Sequence, residues 1–214
     1  MDRQSLRNEI ERLDFLKYAD PGNITKVRET LLDNIIKKNA FFFPHDKNYK
    51  NINGRFFGFG AEELTEGGAL DLFNDLRPSL EKAGLKISEV SQEFNDTTLR
   101  TVYKFRLNDK VCDFAATPRI PILFWALIAR KYTKFLNRAL SRQKIKERIY
   151  FVNDSCSDTE MALLTREQAK FINSLGLNPN DQAYRMSYWT VMRPAFQIIG
   201  ILFKALFKKK AKTY

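Results

Sequence analysis

The stretch LRTVYKFRLNDKVCDFAA, residues 99–116, decides the fold class of this chain. Over 99–107, Leu, Thr, Tyr, Phe and Leu alternate with Arg, Val, Lys and Arg, which is the period of a strand with one buried face. Asn108-Asp109-Lys110 then predicts a short turn. A second strand over 111–116 completes an antiparallel hairpin, and 86–94 is predicted as a third strand beside it.

Further strands and helices are predicted on both sides of this hairpin. The other strands span 55–59, 147–152 and 161–165. Apolar residues spaced three and four apart predict helices over 3–18, 24–38, 68–83, 121–142 and 165–175. Together they predict an α+β domain over residues 1–177, an antiparallel sheet of about five strands packed against helices. A C-terminal helical segment with a basic tail, 178–214, follows.

Two local signals refine the helices. Pro78 lies inside the third predicted helix, so we expect that helix to be kinked or split in two. Thr165-Arg166-Glu167-Gln168 has the pattern of a capping box, in which the Thr and Gln side chains satisfy backbone N–H groups at a helix start. The last predicted helix should therefore begin immediately after Thr165.

Composition and charge limit the classes of function. Apolar residues make up 44 % of the 214 residues, enough for a sizeable core. The formal charge is +11, and the chain from Arg185 onward has two Arg, five Lys and no acidic residue. Cys112 and Cys156 are too few for a disulfide framework, and His45 is the single histidine, so no zinc site is expected. With no secretory signal pattern at the start, a cytoplasmic location is predicted.

No catalytic motif is present, and we expect a protein that is not an enzyme and that uses no cofactor or metal. The chain lacks a phosphate-binding loop, a nucleophile elbow, a paired-histidine motif and a dinucleotide fingerprint. Glu62, Glu63 and Glu66 are the best alternative, since clustered carboxylates can carry acid–base chemistry. They fall where a helix begins, however, and acidic residues there are favoured by the helix dipole alone.

A basic stretch covers the second half of the long helix and the residues after it. Its members are Arg130, Lys131, Lys134, Arg138, Arg142, Lys144 and Lys146. Aromatic residues interleave with them, as in nucleic-acid-binding segments. Their four-residue spacing is also that of a solvated helix face opposite a buried stripe, which we expect to contain Trp125, Ile128, Tyr132, Phe135, Leu136 and Leu140. The solvated face is favoured over nucleic-acid binding.

The end of the chain, RPAFQIIGILFKALFKKKAKTY over 193–214, is predicted as a helix with a narrow polar stripe and a wide apolar face. Its apolar run of about ten residues is shorter than the roughly 20 that span a bilayer. Three alternatives stay open: docking on the chain's own domain, lying in the interface of an anionic membrane, and insertion into a partner's groove. The residues predicted to bind a partner or membrane are Phe196, Ile199, Phe203, Lys204, Leu206, Lys208, Lys209 and Lys210.

Two blocks resemble sequences of bacterial polymorphic-toxin immunity proteins. The first is GRFFGFGAEELTEGGALDLFNDLRPSLEKAGL, 54–85, and the second is IYFVNDSCSDTEMALLTREQAKFI, 149–172. The resemblance implies an α+β, non-catalytic cytoplasmic protein that binds and blocks a toxin. The basic charge departs from what an inhibitor of a basic nuclease needs, so the partner is expected to be acidic or the interface to exclude the tail.

These observations predict a non-enzymatic, partner-binding protein of the bacterial cytoplasm, similar to a toxin-immunity protein. The alternative is a peripheral membrane protein held at the inner face of the membrane by its C-terminal amphipathic basic helix. In the first case the partner is another protein, and in the second it is an anionic membrane surface. Nucleic acid is the less favoured partner.

Overall fold

The computed structural model describes residues 1–41, 52–96, 101–117, 123–155, 158–177 and 182–187. These residues form six α-helices, one short 3-10 helix at Pro21–Asn23, and six strands. The helices are α1 Arg3–Arg12, α2 Ile24–Lys38, α3 Ala61–Thr65, α4 Ala69–Lys82, α5 Phe124–Arg142 and α6 Arg166–Ser174. The strands are β1 Phe56–Phe59, β2 Val90–Asp96, β3 Thr101–Leu107, β4 Lys110–Asp113, β5 Arg148–Ser155 and β6 Asp158–Leu164.

The six strands form two antiparallel sheets of three, in the orders β1-β6-β5 and β2-β3-β4. The α+β class is therefore confirmed, whereas a single sheet of about five strands is not what these residues form. The difference arises at β1, which pairs with β6 in the register Phe56 with Ala162 and so takes a partner about a hundred residues later in the chain. The second sheet contains the predicted hairpin, with Leu107 opposite Lys110 across a two-residue turn.

The β1-β6-β5 sheet is buried on both faces, because alternate residues of its strands enter two different cores. One face contributes Phe57, Phe59, Ile149, Phe151, Met161 and Leu163 to the first core. The other contributes Phe56, Tyr150, Val152, Ala162 and Leu164 to the second core. Burial on both faces explains why these strands read as continuous apolar runs without the polar alternation of β3.

Helices α1, α2 and α6 cover the second core. Leu6 and Ile10 of α1 and Leu31 of α2 are buried there. Residues 3–18 do not form one helix as predicted: α1 ends at Arg12, and Asp14 takes a left-handed φ of 58°. This backbone reversal turns Phe15 inward, where it is fully buried. As predicted, Thr165 caps α6 in a complete capping box with Gln168.

A buried arginine joins the turn after α1 to the central sheet. Arg55 is 1 % exposed, and its guanidinium donates hydrogen bonds to the backbone oxygens of Phe15, Leu163 and Asp14 at 2.8–2.9 Å. It also lies 4.4 Å from the centre of the Tyr18 ring. The Tyr18 hydroxyl in turn donates to the buried Glu147 carboxylate at 2.6 Å. The buried charge is thus matched by three acceptors on two segments, the turn after α1 and strand β6.

The second sheet, α4 and α5 pack around the first core. Tyr103, Phe105 and Leu107 of β3 are buried in it, whereas Lys104 and Arg106 on the opposite face are exposed, as the alternation predicts. Helix α4 continues through Pro78 and is not split in two.

Candidate anion-binding groove

Helix α5 has one face buried in the first core and another face that carries basic residues. Ile128, Tyr132, Leu136 and Leu140 are buried in the first core, as their spacing predicts. Trp125, predicted in the same stripe, is 45 % exposed, so that part of the prediction is wrong. Trp125 is the second residue of α5, which begins at Phe124, so it lies in the first turn of the helix.

A groove of about 260 Å³ opens beside the basic side of α5. It is lined by Thr133, Lys134, Asn137, Arg138, Ser141, Arg148, Arg185 and Met186. Four of these eight side chains are cationic, and the described lining includes no acidic residue. The groove therefore has the electrostatic character of an anion-binding site.

Hydrogen bonds to the backbone fix the floor of the groove. The Asn137 amide donates to the Ile149 oxygen at 3.0 Å and accepts from the Ile149 N–H at 2.7 Å, which clamps α5 to β5. Arg148 donates from Nη1 to the Glu147 oxygen at 2.6 Å and from Nη2 to the Ser141 hydroxyl at 3.1 Å. These bonds hold one guanidinium in a defined position before any ligand binds, which reduces the entropy lost on binding.

The opposite wall is residues 182–187, which are tied to two elements. The Asn173 side chain of α6 donates to the Ala183 oxygen and accepts from the Ala183 N–H, at 3.0 and 2.7 Å. Tyr184 exchanges both backbone hydrogen bonds with Phe151 at the free edge of β5. Because these contacts anchor the backbone, the next residues, Arg185 and Met186, are placed at the groove.

The cations of the groove differ from those of the N-terminal helices in their pairing. Arg3 and Arg7 both pair with Glu29, and Arg3 also pairs with Asp33 at 2.6 Å. By contrast, the exposed Lys134, Arg138 and Arg185 form no ion pair within the described part of the chain. Their charges are directed at solvent and are available to an anionic ligand.

A second, more open cleft of about 640 Å³ lies where the end of α5 meets the β3–β4 turn. Its polar side chains are engaged within the protein. The Asn108 side chain accepts from the Ser88 N–H at 2.8 Å and donates to the Lys86 oxygen at 3.0 Å, while Gln143 bonds both backbone groups of Lys86. These hydrogen bonds hold neighbouring loops together. The described lining of this cleft contains no cluster of like charges of the kind found in the groove.

The other residues considered for chemistry are dispersed. Glu62, Glu63 and Glu66 are exposed on or beside α3 and line neither cleft. His45 and Cys156 lie outside the described residues. Cys112 is a free thiol on β4, and its burial raises its pKa to about 12, which makes it a poor nucleophile at neutral pH.

The predicted tail residues also lie outside the described part of the chain, which ends at Ser187. They are Phe196, Ile199, Phe203, Lys204, Leu206, Lys208, Lys209 and Lys210. The basic stretch identified Lys134 and Arg138, but sequence analysis missed Arg148 as a member of this site and counted Arg185 only with the tail charge. No local pattern marks either arginine. Arg148 is held at the groove by its bond to Ser141, and Arg185 is placed there because the preceding Tyr184 pairs with Phe151.

No group of three or more His, Cys, Asp or Glu side chains within the described residues is arranged to hold a metal ion. None of the helices described has the length and apolar character required to cross a membrane.

Comparisons with known proteins identify no relative. No protein-family model matches the chain, and searches of curated proteins and of solved structures also find no match.

Proposed function

We propose that this protein is a non-enzymatic binding protein whose basic groove receives acidic side chains of a protein partner. The observation that carries the proposal is the cluster of Lys134, Arg138 and Arg185 around a preformed groove, without ion-pair partners within the described residues. Arginine guanidinium groups bind carboxylates through two parallel hydrogen bonds, which favours an acidic segment as the ligand.

The proposal includes the kind of partner implied by the two sequence blocks, a toxin that the protein binds and blocks. Two features support it. Block 54–85 contains β1 and block 149–172 contains β6 and nearly all of β5, so the two blocks together build the central sheet. The groove lies beside β5, at Arg148. An acidic surface on the toxin would complement the groove and would account for a basic inhibitor.

A pair of charge reversals tests the groove directly. We expect Lys134→Glu with Arg138→Glu to abolish retention of the partner that the wild-type protein captures from cytosol of its native bacterium. The loss should be about tenfold or more in affinity, because two attractions become two repulsions. Circular dichroism and melting should be unchanged, since both side chains are exposed.

The matched control is a second double charge reversal, Lys26→Glu with Lys38→Glu. Both are exposed on α2, on the far side of the central sheet, and the pair gives the same change in net charge. Retention by the control and loss by the groove variant would support the proposal. Equal retention by both variants, or equal loss in both, would contradict it, because binding would then not depend on the groove.

The alternative function is attachment to an anionic membrane surface, and one observation favours it. The segment that carries Arg185 along the groove leads directly into residues 188–214, which contain the predicted apolar and lysine residues of the tail. The groove residues Arg185 and Met186 are therefore close in sequence to the tail. Basic clusters of this kind attract anionic headgroups.

Vesicle sedimentation distinguishes this alternative from protein binding. A peripheral membrane protein of this type should sediment with phosphatidylserine vesicles at low salt and be released partly as the salt concentration rises. It should not bind phosphatidylcholine vesicles. Capture of an acidic protein without vesicle binding would favour the proposed function. Vesicle binding without any groove-dependent protein partner would favour the alternative.

A further inference from the structure

Strand β2 is a long edge strand of the second sheet. It pairs with β3 over its seven residues, Val90–Asp96, without a bulge, and no strand lies on its other side among the described residues. The opposite edge strand, β4, has four residues. One side of β2 therefore presents backbone hydrogen-bonding groups that β3 does not use.

The backbone hydrogen bonds show which residues of β2 face this free side. The Asn108 N–H donates to the Glu89 oxygen at 2.8 Å. Bonded and non-bonded pairs alternate along an antiparallel ladder, so β3 bonds Glu89 and every second residue after it. The N–H and C=O groups of Val90, Gln92 and Phe94 therefore point away from β3. These backbone groups have no hydrogen-bond partner within the described part of the chain.

The edge of β5 is capped, whereas the edge of β2 is not. The Asn137 side chain bonds both backbone groups of Ile149, and Tyr184 exchanges hydrogen bonds with Phe151, at two outward-facing positions of β5. Strand β2 has no such cap from the described residues, and it contains neither proline nor lysine, which commonly protect edge strands. An uncapped, regular edge of this length is a template for a further strand.

Phe94 gives this edge an apolar contact point. Its side chain is 40 % exposed, although its ring contacts Tyr103 with the ring centres 5.1 Å apart. Gly67 lies so close that an added Cβ there would be 2.8 Å from the Phe94 ring. The Gln92 side chain holds the same α3–α4 turn by accepting from the Leu70 N–H at 2.9 Å. The exposed part of the Phe94 ring is therefore supported from below in a fixed position.

We propose that β2 pairs antiparallel with β2 of a second copy of this chain, with the two Gln92 residues opposite each other on a two-fold axis. In this register Phe94 of each copy lies opposite Val90 of the other, and Glu93 lies opposite Ser91. The outward-facing backbone groups then exchange about six hydrogen bonds. The two three-stranded sheets become one continuous sheet, and the dimer carries two basic grooves, so a ligand that reaches both binds with avidity.

Charge and strand length select this register over its neighbours. A two-fold axis at Glu93 places two carboxylates face to face, and an axis at Ser91 places Glu93 opposite Glu89. Like charges directly opposite each other are destabilising in a sheet. An axis at Phe94 leaves Val90 beyond the end of the partner strand, which finishes at residue 96. The axis at Gln92 avoids both problems.

The charges beside β2 permit two copies to approach each other there. The net charge of +11 opposes self-association in general. On β3, however, Lys104 and Arg106 each lie 3.9 Å from a carboxylate, that of Glu93 and that of Glu89 respectively. The cations next to β2 are therefore balanced, unlike those of the groove. Pairing at β2 does not depend on the proposed function, because β2 contributes no residue to the groove.

Sedimentation equilibrium of the full-length protein tests the pairing. We expect a reversible equilibrium of monomer and dimer with a dissociation constant on the order of 10 µM, in the range of small interfaces. Ser91→Glu places a carboxylate opposite Glu93 twice in the dimer and should weaken association about tenfold. Ser91→Lys places an ammonium group there and should strengthen association about threefold. A protein that stays monomeric at about 100 µM would overturn the proposal.

Val111→Glu is the matched control for Ser91→Glu. Both positions are exposed and lie opposite Arg106, one on β2 and one on β4, so the two substitutions add the same charge beside the same residue. The control should leave the dissociation constant within about twofold of wild type. Equal weakening by the control would contradict the proposal, as would equal effects of Glu and Lys at position 91.

Hydrogen exchange of individual amides, measured by NMR, locates the contact in the wild type. The Gln92 and Phe94 amides should exchange at least about tenfold more slowly in the dimer than in dilute protein. The Ser91 and Glu93 amides face β3 and should be protected in both states. A dimer in which the Gln92 and Phe94 amides still exchange rapidly would overturn the proposal, because the two copies would then associate through another surface.

Discussion

Replacing Tyr18 by Phe removes one buried hydrogen bond while keeping the ring. The lost bond is the 2.6 Å contact from the Tyr18 hydroxyl to the Glu147 carboxylate, and Glu147 is 7 % exposed. The bond joins the turn after α1 to the residue that precedes β5. The phenylalanine ring can still stack under the Arg55 guanidinium, 4.4 Å from the ring centre in the wild type. The experiment therefore isolates the hydroxyl.

The expected cost is about 2 kcal/mol in the free energy of unfolding. A hydrogen bond to a charged group contributes roughly 1.5–3 kcal/mol, and the buried carboxylate cannot replace it with bulk water. With a urea dependence of about 2 kcal/mol per molar, the midpoint should fall by about 1 M. Urea unfolding followed by circular dichroism at neutral pH measures this shift.

Tyr150→Phe is the matched control for this prediction. Tyr150 is 8 % exposed in the second core, and its hydroxyl has no hydrogen bond among the described residues, so its midpoint should move by less than about 0.3 M. If Tyr18→Phe shifts the midpoint no more than the control does, the buried pair is not stabilising and the reasoning fails. A double-mutant cycle with Glu147→Gln should show a coupling of about 0.5–3 kcal/mol.

Three further predictions concern the core. Arg55→Met should destabilise by about 3–5 kcal/mol, because three backbone oxygens lose their donor, and a near-normal urea midpoint would contradict this. Phe105→Asp should prevent folding, whereas Arg106→Asp on the exposed face should melt nearly as the wild type does; thermal denaturation decides between them. Burial raises the pKa of Cys112 from 9.0 to about 12. The contribution of this thiol to the free energy of unfolding is therefore complete below pH 9 and is lost as the pH rises towards 12. Stability should therefore fall less steeply in that range in Cys112→Ala, by up to about 1.4 kcal/mol per pH unit, and identical pH profiles would refute the assignment.

Elements with local signals were predicted well. The hairpin of β3 and β4 follows from alternation and a turn, and the start of α6 follows from the Thr165 and Gln168 capping pair. In each case the deciding interactions join residues close in sequence. The α+β class follows from the order of such elements.

Features that depend on distant residues were missed. The sequence could not show that β1 pairs with β6, because an aromatic strand suits either sheet equally. The early end of α1 depends on a left-handed Asp14, a conformation that is uncommon for residues other than glycine and has no reliable local signal. Arg55 resembles an ordinary surface charge until Phe15 and Leu163 supply its acceptors.

Charges are distributed differently around the groove and on the N-terminal helices. A net charge of +11 can serve solubility alone, in which case cations and anions are expected to be mixed over the surface. The helices α1 and α2 follow that pattern, since Arg3 and Arg7 of α1 pair with Glu29 and Asp33 of α2. Around the groove the pattern changes, because Arg138 and Arg185 come from separate elements and converge without an acidic neighbour among its described lining residues.

This arrangement is costly for the isolated protein, because like charges brought together repel and reduce stability. The floor of the groove is nevertheless held in place by the hydrogen bonds of Asn137 and Arg148. Binding of an anion relieves the repulsion between these clustered cations and should therefore stabilise the protein. We therefore expect the melting temperature to rise more on adding an acidic ligand to the wild type than on adding it to Lys134→Glu with Arg138→Glu. A polyglutamate peptide at low salt is a suitable probe, and equal shifts in both proteins would contradict the assignment of the groove.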